Sequence, residues 1–554
     1  MKKYGILFTI MAALSAGLAV SEEQLTFEDA VLSAVANNYD IKMKQAAVRI
    51  ALGQYKQTKG ATDLKFGAGS EFGITQTPVD KDDYASYYYG SSEATALMGQ
   101  ANGETEKDSW NQTHVYNNGK EQQQIDSSIW VQKLFKFGLT TKLSYDMTRV
   151  RNLYDYSYDD DALRNTNGKK LASSDTVNYG TVKLELVLPL FKSFNMSVTA
   201  NQIDAAEAYL YQMNADLSDT ISKTVMTTAN AYWNYLLANK KVTQLQELGA
   251  KLKERDSRMG EFITAGLRSK NDLLSVQINE IENERTLLSA LSELDSATLE
   301  LQMAMGIKSK SGSLPAPVYD FPKIDFAEVK VPSLEGVTSE FLEQIINNRP
   351  DLQVLKQQVL VATKNLAAEK NNSHPDANLS FSIGHVGTVY DDSVSSYFSA
   401  GGQNGHGVNW GGALKFSMDI PNNTGSGATE AAMGNLDQAN AALNKELSRL
   451  EMEVKNSIVA LGRYRNAMLA AQKALELHEK LYTNEQVLFD SGLVTTEDLF
   501  NQDNKYIDGQ LQYYQMMINY LQNVMLFKYY TGNLVNISQS DTNSVQKESL
   551  YMVK

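Results

Sequence analysis

The chain has 554 residues, a net charge of −14 and no cysteine. Without cysteine there are no disulfides, thiolate metal sites, acylated lipoprotein cysteines or cysteine nucleophiles. The negative charge argues against nucleic acid, because phosphate binding requires a basic surface. The five histidines show no metal-ligand spacing, and no nucleophile–base pair or phosphate loop is evident. We therefore expect no enzyme, no metal and no cofactor.

The N-terminus has the pattern of a secretory signal peptide, which we place at residues 1–21. Lys2 and Lys3 precede an apolar run, and Ala19 and Ser21 fit a small-x-small cleavage site. An N-terminal membrane anchor is the alternative, although the run is short for a membrane span. We expect an exported chain that is either soluble or a β-barrel.

Four segments alternate apolar and polar residues with the period of a β-strand. These segments are residues 63–75, 178–190, 377–386 and 408–420. In the second of them, Leu184 lies between Lys183 and Glu185. Charge on one face and large apolar groups on the other fit a transmembrane barrel strand. An ordinary antiparallel sheet over a soluble core produces the same alternation.

An additional hairpin is predicted at residues 125–148, where the alternation matches that of the four segments. We expect it to join the same sheet, which would give six strands in each copy of the chain. The alternative is a hairpin that stands outside the sheet. The polar stretches 77–124, 151–178 and 390–408 are rich in Tyr, Asp, Gly and Asn. They indicate long surface loops.

Two long helical hairpins are predicted at residues 196–306 and 428–532, where no proline occurs and apolar residues recur every three or four positions. An arm of some sixty residues is about 90 Å long. With their strands, the hairpins define two internal repeats, residues 22–312 and 336–532. A proline-rich linker, 313–335, joins the repeats, and a C-terminal tail covers 533–554.

Each hairpin reverses at a similar tip, "AGLRSKNDLL" in the first repeat and "SGLVTTEDLF" in the second. The glycine suits the left-handed position that ends a helix. The next residues fit a capping box that starts the returning helix. The four capping residues are Ser269, Asp272, Thr495 and Asp498. Capping alone explains both aspartates, and stapling of the turns alone explains Leu267 and Leu493.

With its duplicated strand–helix–tip–helix unit, its two tips and the starts "NNYD" and "NNRPDL", the chain resembles the TolC family of outer-membrane efflux proteins. The resemblance implies an α+β membrane protein. It implies a homotrimer whose transmembrane β-barrel is continued by an α-helical coiled-coil barrel in the periplasm. It also implies partners, namely a periplasmic adaptor protein, an inner-membrane pump of the RND, ABC or MFS type, and the lipid of the outer membrane.

The resemblance assigns roles only at matching positions of the tips. Adaptor contact is expected at Gly266, Leu267, Arg268, Gly492 and Leu493. The capping residues Ser269, Asp272, Thr495 and Asp498 are expected at the gate, with Asp498 lining the constriction. The sequence departs from some members at Asn501, where they carry a second lumen aspartate. It also departs at Val494, where they carry a basic residue that bonds across hairpins, and Arg268 offers a substitute link.

The resulting functional hypothesis is a passive exit duct in the outer membrane of a Gram-negative bacterium. It would serve a tripartite efflux or type I secretion system. A stand-alone porin-like channel and an exported coiled-coil scaffold are the alternatives. The first leaves the long helical arms unexplained, and the second leaves the alternating strands unexplained. The sequence does not identify the cargo, the class of pump or the resting state of the gate.

Overall fold

The computed structural model describes residues 25–77, 115–158, 174–264, 266, 268–307, 321–322, 324–403 and 407–534. The predicted signal peptide, part of the linker and most of the C-terminal tail lie outside these residues. The helices are α1 (Phe27–Asn37), α2 (Tyr39–Lys59), α3 (Ser197–Thr264), α4 (Lys270–Met305), α5 (Ser339–Asn348), α6 (Pro350–Asn372), α7 (Val394–Ser399), α8 (Asn423–Asp490) and α9 (Thr496–Tyr530). The strands are β1 (Lys65–Thr77), β2 (Val115–Leu134), β3 (Thr140–Tyr158), β4 (Ser174–Pro189), β5 (Asp376–Val389) and β6 (Val408–Ser417).

The chain divides into two compact units, each assembled from separate stretches of sequence. The helical unit comprises Met1–Tyr55, Ala205–Thr363 and Gly434–Lys554. The sheet unit comprises Lys56–Asp204 and Lys364–Met433. No helix in the described part of the chain is both long and apolar enough to cross a membrane.

The sheet unit contains one antiparallel sheet of six strands in chain order, β1 to β6. The hairpin predicted at 125–148 forms part of β2 and β3, the second and third strands of this sheet. The expectation of loops at 115–124, 151–158 and 174–178 is wrong, because these residues extend β2, β3 and β4. The extensions pair with each other over their whole length. Backbone pairing therefore overrides their polar composition, which predicts loops only by correlation.

The strand register gives the sheet one apolar face and one polar face. Residues that are directly opposite in neighbouring strands point to the same face. One row across all six strands is Phe66, Val131, Leu143, Leu184, Ile383 and Trp410. The adjacent row, on the other face, is Lys65, Gln132, Lys142, Glu185, Ser382 and Gly411. Large apolar side chains on the first face are exposed, Trp410 to 76% and Phe66 to 70%.

A segment that we call the strap, residues 390–403, lies on the apolar face. It falls within the stretch predicted as an exposed loop, 390–408, and most of its residues are exposed, but it contains a short helix and packs on the sheet. Its helix α7 carries Tyr397, which is buried and donates to the carbonyl oxygen of Met147 at 3.2 Å. Tyr145 donates in turn to the carbonyl oxygen of Phe398 at 2.7 Å. Hydrogen bonds to the sheet hold the strap where composition alone predicted a loop.

The two helical hairpins have matching dimensions. The outgoing helices α3 and α8 each have 68 residues, and the returning helices α4 and α9 have 36 and 35. A helix of 68 residues has a contour length of about 100 Å. Since prolines are absent between Pro189 and Pro315 and after Pro421, nothing in the sequence interrupts the backbone hydrogen bonds of these helices.

Each hairpin ends at a glycine that packs against the joint between two shorter helices. Gly306 follows α4 with φ 67°, and a Cβ there would lie 2.7 Å from the backbone carbon of Asn37. Gly532 follows α9 with φ 71°, and a Cβ there would lie 2.8 Å from the backbone carbon of Asn348. Asn37 ends α1 and Asn348 ends α5. Glycine is therefore required at both positions by its conformation and by the close approach of another backbone.

The main core of the helical unit joins the short helices to the hairpins. The ring of Phe27 stacks on that of Trp233 at 5.7 Å, and Phe326 meets the edge of Tyr520 at 5.0 Å. Trp233 and Tyr520 are each 1% exposed. Burial of such aromatic groups is the largest stabilising contribution of a side chain in a helical core, and it fixes α1 and the segment around Phe326 against the hairpins.

Candidate functional site

The first tip connects α3 to α4 through Gly266, whose φ of 72° is the left-handed conformation. Ser269 accepts a hydrogen bond from the backbone N–H of Asp272 at 3.3 Å, and the Asp272 carboxylate accepts from the backbone N–H of Ser269 at 2.9 Å. This is a complete capping box. Leu267 lies outside the described residues.

The second tip repeats this geometry between α8 and α9. Gly492 has φ 75°, and the N–H of Leu493 donates to the carbonyl oxygen of Leu488 at 2.9 Å, which closes the end of α8. Thr495 and Asp498 form the second capping box, with reciprocal hydrogen bonds of 3.1 Å. The side chain of Leu493 is 73% exposed, so it does not pack under the turn.

The second capping box lowers the pKa of Asp498. The largest contribution is the hydrogen bond from the Thr495 hydroxyl, followed by that from the Thr495 backbone N–H. Asp498 is therefore ionised at neutral pH and places a negative charge at the positive end of α9. Asn501, one turn further along α9, donates to Glu497 at 3.3 Å. The adaptor and gating roles of these residues stay predictions.

Arg268 links the two tips within one chain. Its guanidinium donates to the backbone oxygens of Phe489 at 3.3 Å and Val494 at 3.1 Å. It also lies 5.0 Å from the centre of the Phe489 ring. The link reaches the backbone of Val494, the position where the sequence lacks a basic side chain. Arg268 of the first tip therefore makes the substitute link that was predicted for the missing basic side chain at Val494.

An apolar cluster lies beneath the Arg268 link and contains residues of both hairpins. Its buried members are Met259, Val276, Phe489 and Leu499. Ile263, Leu273 and Val494 pack against them. The two tips are therefore one packed body, so movement of one hairpin relative to the other at this end must open this cluster.

A buried ion pair joins the two hairpins further from the tips, and it was not predicted from the sequence. Arg255 of α3 contacts Asp503 of α9, and their side chains are only 11% and 2% exposed. The signal is present in the sequence. Asp503 follows Leu499 by one helical turn, so an acidic residue interrupts an apolar row.

Further polar contacts continue this series of links along the hairpins. Lys251 donates to the hydroxyl of Tyr482 at 2.9 Å, and the Tyr482 ring stacks on Tyr506 with 5.0 Å between centres. Gln244 bonds to Gln510. Desolvation raises the pKa of Tyr506. Polar side chains thus join the two hairpins at several positions along their length. Contacts of this kind can break and form again.

Comparison with known proteins gives structural likeness without close sequence similarity. No protein-family model matches the chain, and no curated protein matches it. The outer membrane channel CmeC of Campylobacter jejuni is 13% identical with a TM-score of 0.61, over 96% of this chain and 92% of that one. The outer membrane protein VceC of Vibrio cholerae is 12% identical with a TM-score of 0.57, over 91% and 96%. The open-state outer membrane channel MtrE of Neisseria gonorrhoeae is 13% identical with a TM-score of 0.56, over 91% and 88%. The resemblance predicted from the tips is confirmed at the level of the fold.

Proposed function

We propose that this chain, which has the fold of outer-membrane channels, is the exit duct of a tripartite efflux or type I secretion system. Three copies form a tube that crosses the outer membrane of a Gram-negative bacterium and extends into the periplasm. The tube conducts its cargo passively. An inner-membrane pump supplies the energy, and a periplasmic adaptor protein joins the pump to the tips.

The observation that carries this proposal is the two-faced sheet. A soluble antiparallel sheet buries its apolar face against a core. Here the row through Phe66 and Trp410 is largely exposed on a single chain, and the opposite row carries charges. In a membrane barrel, lipid covers the apolar outer face of the sheet and water covers its charged inner face.

The two edges of the sheet support closure by several copies. Among the described strands of a single chain, β1 and β6 each have an unpaired edge. An unpaired strand edge is not tolerated in the hydrocarbon of a membrane, so the sheets must close into a ring. Three copies of a six-stranded sheet make an eighteen-stranded barrel, in which β6 of one copy pairs with β1 of the next. A barrel of this size leaves an aqueous channel.

An exposed apolar row on α4 supports association through the helices. Its members follow the spacing of a coiled-coil seam and are Leu274, Ile278, Ile281 and Leu288, each exposed to between 56% and 65%. A similar exposed row on α8 comprises Leu477, Leu481 and Leu488. Packing of one row against the other in the next copy is a head-to-tail contact, which closes into a ring.

The exposed tips support the adaptor contact. Gly266, Gly492 and Leu493 are exposed, whereas Arg268 and the apolar cluster hold the tips together from beneath. An exposed leucine on a rigid turn is available for a partner protein. The acidic Asp498 remains available to the lumen, since its capping bonds use only one of its carboxylate oxygens.

The test is electron microscopy of the full-length protein extracted from outer-membrane fractions with detergent. We expect a three-fold tube well over 100 Å long, with eighteen strands at one end. A twelve-stranded wall with β2 and β3 outside it would reject the closure but keep the duct. A monomeric barrel, or protein that is soluble without detergent, would reject the duct and favour the porin or scaffold alternative.

A further inference from the structure

A groove of about 420 Å³ lies on the apolar face of the sheet, at the strand ends remote from the β2–β3 turn. It is lined by Phe72, Gln123, Ile125, Arg149, Arg151 and Asp392. We propose that this groove, which we call the basic groove, binds the phosphate-bearing headgroup of an acidic lipid. The proposal rests on the proposed function, because the apolar face meets lipid only if the sheet forms the wall of a barrel.

The position of the groove on the face matches the border of a membrane. Phe72, Ile125 and Arg149 are opposite one another in one row, and Gln123 and Arg151 are opposite in the next. Arg149 follows Leu143 of the apolar row by six residues, which is about 20 Å along the strand. The apolar band of a membrane barrel is about 25 Å tall. The two arginines therefore lie where the hydrocarbon ends and headgroups begin.

The strap forms one wall of the groove and is held against the sheet by one asparagine and two glycines. Asn178, fully buried, donates to the carbonyl oxygen of Asp391 at 2.6 Å. A Cβ on Gly180 would lie 2.2 Å from the backbone nitrogen of Gly401, and a Cβ on Gly387 would lie 2.0 Å from the oxygen of Ala400. Only glycine at both positions allows the strap to lie against the sheet.

The strap also positions one of the arginines. Arg149 donates to the backbone oxygen of Asp392, and its guanidinium lies 3.5 Å from the Asp392 carboxylate. Its side chain is 17% exposed. Arg149 is thus fixed as a donor whose remaining N–H groups border the groove.

Arg151 provides a charge that no described residue pairs with. Its residue is exposed, and its side chain has no hydrogen-bond or ion-pair partner in the described part of the chain. Among the described carboxylates nearby, Glu121 accepts hydrogen bonds from Gln76 and Gln123, and Asp391 accepts from hydroxyl groups of the strap; neither lines the groove. Two guanidinium groups that line one groove are donors of the kind that bind a phosphate group.

The apolar residues of the groove distinguish a lipid from free phosphate. Phe72 is 61% exposed on the same face, and Ile125 lies beside it. These side chains suit the first carbons of an acyl chain below a bound headgroup, whereas an inorganic ion makes no use of them. Juxtaposed basic and apolar side chains at a membrane border are the pattern that recognises acidic lipids.

The experiment is native mass spectrometry of the detergent-purified assembly with added phosphatidylglycerol, compared with phosphatidylcholine of the same acyl chains. We expect the assembly to retain phosphatidylglycerol selectively, at up to one molecule per copy of the chain. Arg151→Gln should weaken this retention at least about tenfold, because it removes a charge-assisted contact. Lys142→Gln is the matched control: it removes a charge from the polar face of the same strand and should leave retention unchanged.

Three outcomes overturn the proposal. Equal retention of phosphatidylcholine indicates apolar adhesion alone. Equal losses in Arg151→Gln and Lys142→Gln indicate general attraction by charge. Displacement of the lipid by millimolar inorganic phosphate assigns the groove to the free ion. If these outcomes occur in an assembly that electron microscopy shows to be a membrane-spanning tube, only the lipid site fails. If no membrane-spanning assembly exists, the proposed function has failed first.

Discussion

At the scale of single residues, Arg268 makes the contact that joins the tips. We expect Arg268→Ala to raise single-channel conductance in planar bilayers, because the hairpins lose their hydrogen bonds to Phe489 and Val494. The conductance of Arg268→Lys should fall between those of the unaltered protein and Arg268→Ala. An ammonium group cannot form both hydrogen bonds and also stack on the ring as a guanidinium does. The matched control is Arg258→Ala, which removes an exposed arginine of α3 that pairs with Glu254 of its own helix. Equal conductance in Arg268→Ala and the control would show that the Arg268 link has no role in gating.

Asp498 combines a local and a proposed functional role, and the two can be separated. If Asp498 lines the constriction, Asp498→Ala raises conductance or reduces block by multivalent cations. Asp498→Asn, which removes the charge but keeps an oxygen that can accept from the Thr495 backbone N–H, separates the charge from the cap. Unchanged conductance and block in Asp498→Ala would leave this residue as a cap only.

The buried pair Arg255–Asp503 makes a prediction about stability. Asp503→Ala should reduce the free energy of unfolding by about 3–5 kcal/mol, because it leaves the Arg255 charge buried and unpaired. The double variant Arg255→Met/Asp503→Leu should recover most of that loss, since well-packed apolar residues often replace a buried ion pair at no cost. Thermal unfolding in detergent measures both. A double variant as unstable as the single one would contradict this account.

At the scale of elements, the strap depends on glycines in the sheet beneath it. We expect Gly180→Ala to displace the strap, because the new Cβ would lie 2.2 Å from the backbone of Gly401. Limited proteolysis should then cleave within residues 390–403 much faster than in the unaltered protein. Gly69→Ala is the control in β1 of the same sheet, where a Cβ meets nothing within 4 Å. Equal cleavage in the two variants would show that the strap does not need this close approach.

The helical elements show how local signals fix the tips. A glycine with positive φ ends each outgoing helix, and a capping box starts each returning one. These features involve residues within a few positions of each other, so their spacing in the sequence is sufficient to predict them. The strands are likewise predictable from a local pattern. Alternation assigns Leu184 and Ile383 to the apolar face of their strands before any register is known.

At the scale of the whole molecule, the exposed row on α4 predicts how copies associate. Ile278→Glu should dissociate the assembly, because it places a charge in the centre of an apolar seam. Thr286→Glu adds the same charge on a different, exposed face of α4 and should leave the assembly intact. Light scattering in detergent measures the mass of each. Intact assemblies in both variants would exclude this row from the interface.

The sequence by itself determined the features that repeat over short distances. Hydrophobic periods of two and of three to four residues set the strands and the long arms, and the absence of proline allowed the arms their length. The spacing of glycine, Ser or Thr, and Asp set the tips. Polar composition misled at the ends of β2, β3 and β4, because pairing between strands decided where those strands stop.

Only the tertiary structure decided which distant residues meet. Arg268 reaches Phe489, Arg255 reaches Asp503, and Arg149 reaches Asp392, across separations in sequence of more than two hundred residues. No local period encodes such pairs, because each depends on how two elements pack. The same holds for the strap, whose place on the sheet follows from two glycines and a buried asparagine that carry no local signal of their own. Patterns along the chain thus specify elements, and the approach of one element to another specifies the sites.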